Sequence, residues 1–337
     1  MSTARGPGWR LWALITVVVL ALGAAVVTLV ARASADRPAA SLATRFPARS
    51  VAFSPDGRTL IVGEGDGFDG QVSVWDVAGR RQLATLGKDA TVYGVALSPD
   101  GRTVAAATNP TTGRDGRIAR WDLATRQPVA ALAATADILY AVAFSPDGRT
   151  LAVGGSDGTT LWELRTGRPG RLGPAGYDQT VAVAFSPDGR TLATGRTSGR
   201  TGDVQLWDVA SRRPTRLAGD DRSAVPAVAF SPDGRTLATG TDNGGTVLYD
   251  AHTARPLATL TAGTAPVAAL AYSPDGRTLA TGSTDGSTRL WDVAARRAGT
   301  TWKQHPGVAA VAFSPDGRTV ATGSTQDGVR LWTVPAG

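Results

Sequence analysis

One short motif recurs seven times between residue 51 and the end of the chain, and this repetition constrains the fold more than any other feature. Its first copy reads VAFSPDGRTL from Val51, and its serine returns at intervals of 41 to 47 residues. Self-similarity at this period is typical of an array in which each repeat is one supersecondary unit. We therefore expect seven equivalent units, marked by Ser54, Ser98, Ser145, Ser186, Ser231, Ser273 and Ser314.

Each copy predicts four short strands joined by turns. The VAF run has the residue types of a strand, and Ser-Pro-Asp-Gly has those of a turn, because Pro fixes φ and Gly adopts the left-handed conformation. A returning strand and an alternating third strand follow, and a last strand comes after a basic turn. Four strands per repeat make one propeller blade. The third strands end in Trp75-Asp76, Trp121-Asp122, Trp162-Glu163, Trp207-Asp208, Tyr249-Asp250, Trp291-Asp292 and Trp332-Thr333.

These residues resemble the WD-repeat (WD40) family over essentially all of Leu42 to Trp332. The resemblance implies an all-β, seven-bladed propeller whose first-named strands line a central channel. It also implies that an N-terminal strand completes the last blade. The segment Leu42 to Phe46 is similar to the outer-strand segment Leu83 to Leu86. We therefore expect residues 42–46 to close the ring and residues 42–337 to form the propeller.

The chain departs from the family in its histidines. The family carries a Gly-His pair before each inner strand, and its His joins Asp, Ser or Thr, and Trp in a buried network. Here only His305 occupies a comparable place. The resemblance implies such a network in one blade alone, built from His305, Thr322, Asp327 and Trp332.

The segment Leu11 to Ala31 has no charged residue and is long enough to cross a bilayer as a helix. We predict a tail at residues 1–10, a transmembrane helix at 11–31 and a linker at 32–41, in a membrane-anchored member of bacterial type. A cleaved signal peptide ending near Ala35 is the alternative. We expect a single-pass protein of the cell membrane with its propeller outside the cytoplasm. The basic residues after the helix leave a cytoplasmic propeller as the other possibility.

Composition excludes several functions. The chain has no Cys, so it contains no disulfide, thiolate metal site or cysteine nucleophile. Its net charge of +7 resides largely in repeated turns and is not clustered with aromatic residues, so we expect no nucleic-acid binding. Each turn carboxylate stands two residues before an arginine, and we expect weak surface pairing between them.

The remaining polar groups offer no catalytic constellation. Residues 65–70 match G-x-G-x-x-G but precede a strand where a dinucleotide site needs a helix. Glu64, Asp66 and Asp69 supply oxygens for a hard cation but lack the spacing of a calcium loop. His252 and His305 lie in different repeats and offer no zinc pair. We expect no enzyme activity, no cofactor and no metal.

The repeats differ most just before each inner strand and in the neighbouring loops. Tyr and Arg at such a rim are typical interface anchors. We predict a protein-binding scaffold, monomeric as a propeller, that binds one or more proteins there. The alternative is an enzyme or ligand receptor that uses the central channel. The candidate partner-binding residues are Arg49, Tyr93, Tyr140, Tyr177, Asp221 and Lys303.

Overall fold

The computed structural model describes residues 37–110, 116–133, 136–173, 179–198, 201–217, 223–261, 263–303 and 306–335. In these residues the chain forms 28 strands arranged in seven four-stranded antiparallel sheets. Neighbouring sheets pack in sequence around a ring, and the last packs on the first. The predicted seven-bladed propeller is confirmed.

Strand β1 (Ala40–Leu42) belongs to the seventh blade, and the other blades follow the chain. Blades 1 and 2 contain β2 (Ala48–Phe53), β3 (Thr59–Gly65), β4 (Gly70–Asp76), β5 (Arg81–Lys88), β6 (Ala90–Leu97), β7 (Thr103–Pro110), β8 (Arg117–Asp122) and β9 (Pro128–Leu132). Blades 3 and 4 contain β10 (Leu139–Phe144), β11 (Thr150–Gly155), β12 (Gly158–Glu163), β13 (Arg168–Leu172), β14 (Gln179–Phe185), β15 (Thr191–Ser198), β16 (Thr201–Asp208) and β17 (Pro214–Arg216). Blades 5 and 6 contain β18 (Ala227–Phe230), β19 (Thr236–Gly240), β20 (Gly245–Asp250), β21 (Pro256–Thr261), β22 (Val267–Tyr272), β23 (Thr278–Ser283), β24 (Ser287–Asp292) and β25 (Arg297–Lys303). Blade 7 contains β26 (Val308–Phe313), β27 (Thr319–Ser324), β28 (Val329–Thr333) and β1.

The N-terminal strand closes the ring, as predicted, but it lies earlier in the chain than expected. Ala40 pairs with Leu331 and Leu42 with Val329, so the closing strand is β1 and not residues 42–46. The residues after Leu42 turn away from blade 7. The backbone amides of Arg45 and Phe46 donate to a carboxylate oxygen of Glu64 in blade 1, at 3.1 and 3.2 Å. Residues 40 and 41 of the predicted linker therefore belong to the propeller.

The Ser-Pro-Asp-Gly turns are held by hydrogen bonds within each turn. In blade 4, the Ser186 hydroxyl donates to Asp188 Oδ1 at 2.6 Å and accepts from the Thr191 amide at 2.9 Å. The Arg190 amide also donates to Asp188 Oδ1, at 3.0 Å. The Ser186 bond is the largest cause that lowers the pKa of Asp188, and the charge of Arg190 is a smaller one. The expected side-chain pairing is therefore a minor feature, because the carboxylate serves as a backbone acceptor.

The same turns also join neighbouring blades. A Cβ added at Gly101 would lie 3.2 Å from Pro55 Cδ, and the glycine has a φ of +71°, which favours Gly. The contact recurs at the closure of the ring, where a Cβ added at Gly57 would lie 3.3 Å from Pro315 Cδ. We call the face of the ring that carries these turns the turn face.

The hydrophobic core lies between blades. Each of its seven clusters combines residues of two adjacent blades, with the third-strand aromatic of one blade packed on its neighbour. At the closure, Leu42 of β1 is 1 % exposed and packs in a cluster with Leu60 and Trp75 of blade 1. Trp302 and Trp332 stack at 5.1 Å between blades 6 and 7. Closure thus buries apolar surface as it pairs the last strand.

The predicted transmembrane helix at residues 11–31 lies outside the described residues, as do the tail at 1–10 and the first part of the linker. Within the part of the chain that the structure describes, no helix has the length and apolar character needed to cross a membrane.

Candidate protein-binding site

Every inner strand ends at a turn of the turn face, so all seven begin at the opposite face, which we call the front face. The repeats diverge two residues before each VAF-type run, at a position that lies inside the observed inner strand in every blade but the fifth. In six blades it is a β-bulge, because the strand register shifts around this residue: Arg49, Tyr93, Tyr140, Val181, Ala268 and Ala309. A bulge turns a side chain away from the regular alternation of its strand. The most variable position of the repeat is thus aimed at the front opening of the channel, which we call the mouth.

Three of the predicted partner-binding residues meet along one side of the mouth. The guanidinium carbon of Arg49 lies 5.0 Å from the centre of the Tyr93 ring. The Tyr93 and Tyr140 rings meet edge to face, with centres 5.9 Å apart and planes at 78°. The Tyr140 hydroxyl donates to Gln179 Oε1 at 3.2 Å. Arg49, Tyr93, Tyr140 and Gln179 therefore form a continuous row across blades 1 to 4, which we call the arc.

Hydrogen bonds with backbone groups of blades 1 and 3 hold the arc in place. Arg49 Nε donates to the carbonyl of Gly65 at 2.6 Å, which fixes the guanidinium over the ring. Asn109 of blade 2 binds both backbone groups of Leu139, at 2.8 and 2.9 Å, and so fixes the segment that carries Tyr140. Burial, with a smaller contribution from Tyr93, raises the pKa of Tyr140, so its hydroxyl remains a donor at neutral pH.

The opposite side of the mouth carries small apolar side chains. Val181, Pro226, Ala268 and Ala309 hold the corresponding positions of blades 4 to 7. The mouth encloses a shallow cavity of about 210 Å³ lined by the inner strands. Elsewhere on the front face, Phe68 is 77 % exposed and Ile138 is 40 % exposed. A partner thus meets aromatic and polar groups on one side and small side chains on the other.

Of the remaining candidate residues, the structure describes Lys303, which is not part of the arc. Lys303 lies at the end of β25 in blade 6, where its charge is one of the causes that lower the pKa of Asp285. Tyr177 and Asp221 lie outside the described residues. Their role in partner binding remains a prediction.

The third-strand aromatics are structural. Trp75, Trp207, Trp291 and Trp332 donate their indole N–H to a Ser or Thr hydroxyl at 2.8 to 3.1 Å. Trp121 and Tyr249 are also buried, and the buried Trp162 indole N–H has no hydrogen-bond partner among the described residues. The acids that follow cap turns, as when Asp122 Oδ1 accepts the Thr125 amide at 2.7 Å. The same role belongs to Asp76, Asp208, Asp250 and Asp292.

The network expected in blade 7 forms only in part. Trp332 donates to Thr322 Oγ1 at 2.9 Å. Asp327 is not part of it, because its side chain is 46 % exposed and faces Arg330 Nη2 at 3.5 Å. The Asp327 amide donates to Ser324 Oγ in a tight turn, which directs the carboxylate to solvent. His305 lies outside the described residues.

The similarity to known proteins agrees with this architecture. The WD domain, G-beta repeat, matches residues 42–76 and 80–122. The IFT122 first β-propeller matches residues 111–337, more than half of the chain. The chain belongs to this propeller family. It is a WD40 propeller, a class of proteins that are generally protein-interaction scaffolds and typically non-catalytic. No curated protein matches the chain.

Among the described residues of this WD40 propeller, Glu64 is a buried carboxylate that the repeat pattern does not reveal. Glu64 is 0 % exposed, and its oxygens accept from the Arg45 and Phe46 amides and from Gln71 Nε2 at 3.1 Å. The Ser73 hydroxyl donates to Glu64 and accepts from the Trp75 indole. Burial raises the pKa of Glu64, although its four donors act in the opposite direction. An acid inside the otherwise apolar strand TLIVGEG is the signal that could have revealed it.

Glu64 therefore does not share a cation site with Asp66 and Asp69. The Asp66 carboxylate accepts the amides of Phe68 and Asp69, each at 2.8 Å, and so shapes the exposed loop between β3 and β4. Among the described residues, no three His, Cys, Asp or Glu side chains are grouped so as to hold a metal.

Proposed function

We propose that the propeller is a scaffold that binds a partner protein on the front face, with the arc as its anchor. The observation that carries this proposal is the contact row from Arg49 through Tyr93 to Tyr140. Each of these side chains stands at the same position of its repeat, and the copies diverge at this position. A structural position would repeat, as the turn serines do.

The physical chemistry of the arc suits an interface anchor. Its aromatic rings are half-buried and held by neighbours, so little side-chain entropy is lost when a partner covers them. Tyr and Arg dominate binding energy in interfaces where they become desolvated. Phe68 and Ile138 extend the apolar surface beyond the mouth.

Substitution in the arc tests the proposal. We expect Tyr93→Ala and Tyr140→Ala each to weaken capture of the partner by more than about 1 kcal/mol, because each removes a ring that the partner covers. Arg190→Ala is the control, since it changes a charge in a repeated turn on the opposite face. The measurement is affinity capture with the full chain, with thermal melting of each variant to verify folding. If Arg190→Ala loses the partner and both tyrosine variants keep it, the binding face is the turn face.

We also propose that the scaffold is tethered to a membrane through residues 11–31. The support is the uncharged apolar run, whose length matches a hydrocarbon core. Strand β1, which follows this region in the chain, runs antiparallel to β28 and so starts at the turn face.

Protease accessibility tests the tether and its orientation. With the propeller outside the cytoplasm, protease added to intact cells should release it by cutting within residues 32–39. Protection until lysis would place the propeller in the cytoplasm. Release into the medium without protease, with a new N-terminus near Ala35, would show a cleaved signal peptide and contradict the tether.

A further inference from the structure

We infer that the mouth binds a partner segment that presents an Asp or Glu side chain to Arg49 and an apolar side chain to the tyrosines of the arc. This inference rests on the proposed function and specifies the chemistry of its partner. It is carried by the position of the Arg49 guanidinium and by the charges around it.

The Arg49 guanidinium is fixed in orientation, but only part of its hydrogen-bond donors have acceptors among the described residues. Its Nε donates to the Gly65 carbonyl at 2.6 Å, and its plane is supported by the Tyr93 ring. Among the described residues, none accepts a hydrogen bond from its two terminal nitrogens. A guanidinium held in this way presents paired donors, which match the two oxygens of a carboxylate.

The surroundings of Arg49 leave its charge available. Of the described residues that line the mouth, Arg49 is the one with a charged side chain. Glu64 is buried and accepts from four other groups. Asp66 is on the exposed loop, where backbone hydrogen bonds from Asp69 and Phe68 are the main causes that lower its pKa and the charge of Arg49 is the smallest of the four. The mouth is therefore positive, and a carboxylate of a partner complements it.

The geometry of the arc indicates how the partner residues are spaced. The Arg49 guanidinium carbon lies 5.0 Å from the Tyr93 ring centre, and the Tyr140 ring centre lies 5.9 Å beyond Tyr93. An extended chain advances about 3.3 Å per residue, and its side chains i and i+2 share a face about 7 Å apart. An acid at i and an apolar residue at i+2 therefore reach the guanidinium and the two rings together.

The arc also favours an internal segment over a chain end. The mouth is shallow, and the arc continues on both sides of Tyr93, to Arg49 and to Gln179. Ile138 and Phe68 are exposed on the same face of the ring. A segment that runs across these groups makes contacts before and after its acidic residue, so we assign the carboxylate to a side chain.

The experiment uses the full chain and short labelled peptides with Glu two residues before Leu between Gly and Ser spacers, amidated at the C-terminus. Matched peptides replace Glu by Gln, or place Glu directly before Leu. A further peptide has Gln for Glu and ends at Leu with a free carboxylate. We expect the Glu-x-Leu peptide to bind about tenfold more tightly than its Gln counterpart, by fluorescence anisotropy, because a charge-assisted pair is lost.

The variants assign the preference to Arg49. Arg49→Gln should bind the Glu and Gln peptides equally. Arg49→Lys keeps the charge without the paired donors and should retain only part of the preference. Arg45→Gln is the matched control, because Arg45 also lies over an aromatic ring, Phe46 at 5.1 Å, but is exposed outside the mouth. It should keep the full preference, and thermal melting verifies that each variant folds.

Several outcomes overturn the inference. They are equal binding of the Glu and Gln peptides, a preference that survives both Arg49 variants, or binding of none of the peptides. Tighter binding of the free-carboxylate peptide would show a chain end as the occupant and would also overturn it. The proposed function is decided separately, because loss of the captured partner in the Tyr93 and Tyr140 variants does not depend on any carboxylate.

Discussion

Glu64 is the residue whose environment differs most from its expected role as a loop acid. Its carboxylate joins two segments: the chain that leaves the closing strand, and strand β4, where Gln71 and Ser73 donate to it and Ser73 also accepts from Trp75. A buried carboxylate is costly unless donors surround it, and four donors do so here. The raised pKa of Glu64 shows that burial still outweighs them.

This raised pKa predicts a pH dependence of stability. The folded state binds a proton at Glu64 more readily than the unfolded state, in which the carboxyl has its ordinary pKa of 4.5. The contribution of Glu64 to stability therefore increases as the pH falls through the raised folded value toward 4.5, and decreases as the pH rises. Glu64→Gln should remove this slope, measured as the midpoint of urea unfolding at several pH values.

Glu163→Gln is the matched control for that measurement, because the Glu163 side chain is 51 % exposed at the end of β12. It should retain the slope of the wild type. An unchanged slope in Glu64→Gln would show that the buried carboxylate does not set it.

At the scale of the element, the Ser-Pro-Asp-Gly turn is stabilised by its serine more than by its charges. Ser186 Oγ donates to Asp188 and accepts from the Thr191 amide, whereas the Arg190 side chain extends from an exposed position. We expect Ser186→Ala to destabilise the propeller by about 1–3 kcal/mol, because it leaves the Thr191 amide without this acceptor. Arg190→Ala should change stability by less than about 0.5 kcal/mol. Urea unfolding of both variants at pH 7 measures the difference, and equal effects would contradict it.

The same turn also contributes to the loss of stability of the propeller at acid pH. The pKa of Asp188 lies below its ordinary value of 3.8, with the Ser186 hydrogen bond as the main cause. The contribution of Asp188 to the stability of the propeller is fully present above pH 3.8. It is lost as the pH falls through the lowered pKa that Asp188 has in the folded state. Ser186→Ala should therefore show a smaller loss of stability in acid than the wild type. Glu64 acts at higher pH and in the opposite direction, so the two effects are separable.

The elements also show what the repeats could and could not predict. The turn and the Trp-ended strand were predictable, because Ser186-Pro-Asp-Gly and Trp207-Asp208 carry their own local geometry. The bounds of the closing strand were not, since Thr44 to Phe46 leave the sheet for Glu64, a residue distant in sequence. In the sequence, the candidate arc was recognisable only as a repeat position at which the residue type differs between copies. That Tyr140 meets Gln179 and Tyr93 depends on the bulges in the inner strands that carry them and on the closure of the ring.

At the scale of the whole molecule, the two faces differ in how closely their residues repeat from blade to blade. The turn face repeats the same serine, aspartate and Pro–Gly contact from blade to blade, and these contacts fix the ring. The front face breaks the repeat, and blades 1 to 4 there carry the arc while blades 4 to 7 carry small side chains. Specific recognition by a ring of near-identical blades requires such a break, because a partner cannot distinguish positions that are alike.

The ring itself depends on β1. Leu42 is 1 % exposed between blades 7 and 1, and β1 covers the edge of β28. Leu42→Ala should lower the free energy of unfolding by about 2–5 kcal/mol, the usual cost of such a cavity. Leu257→Ala is the matched control, because Leu257 in β21 is 45 % exposed and its loss leaves no buried cavity.

Removal of the whole strand should have a larger effect than any single substitution. A chain that begins at Ser50 lacks β1 and the amides that bind Glu64, so β28 becomes an unpaired edge and a buried carboxylate loses two donors. We expect it to aggregate or to unfold without cooperativity, whereas a chain that begins at Asp36 keeps β1 and unfolds cooperatively. Size-exclusion chromatography and urea unfolding of the two chains measure this. Equal stability of the two chains would mean that six complete blades hold the seventh without its outer strand, and closure by β1 would then not be what stabilises the ring.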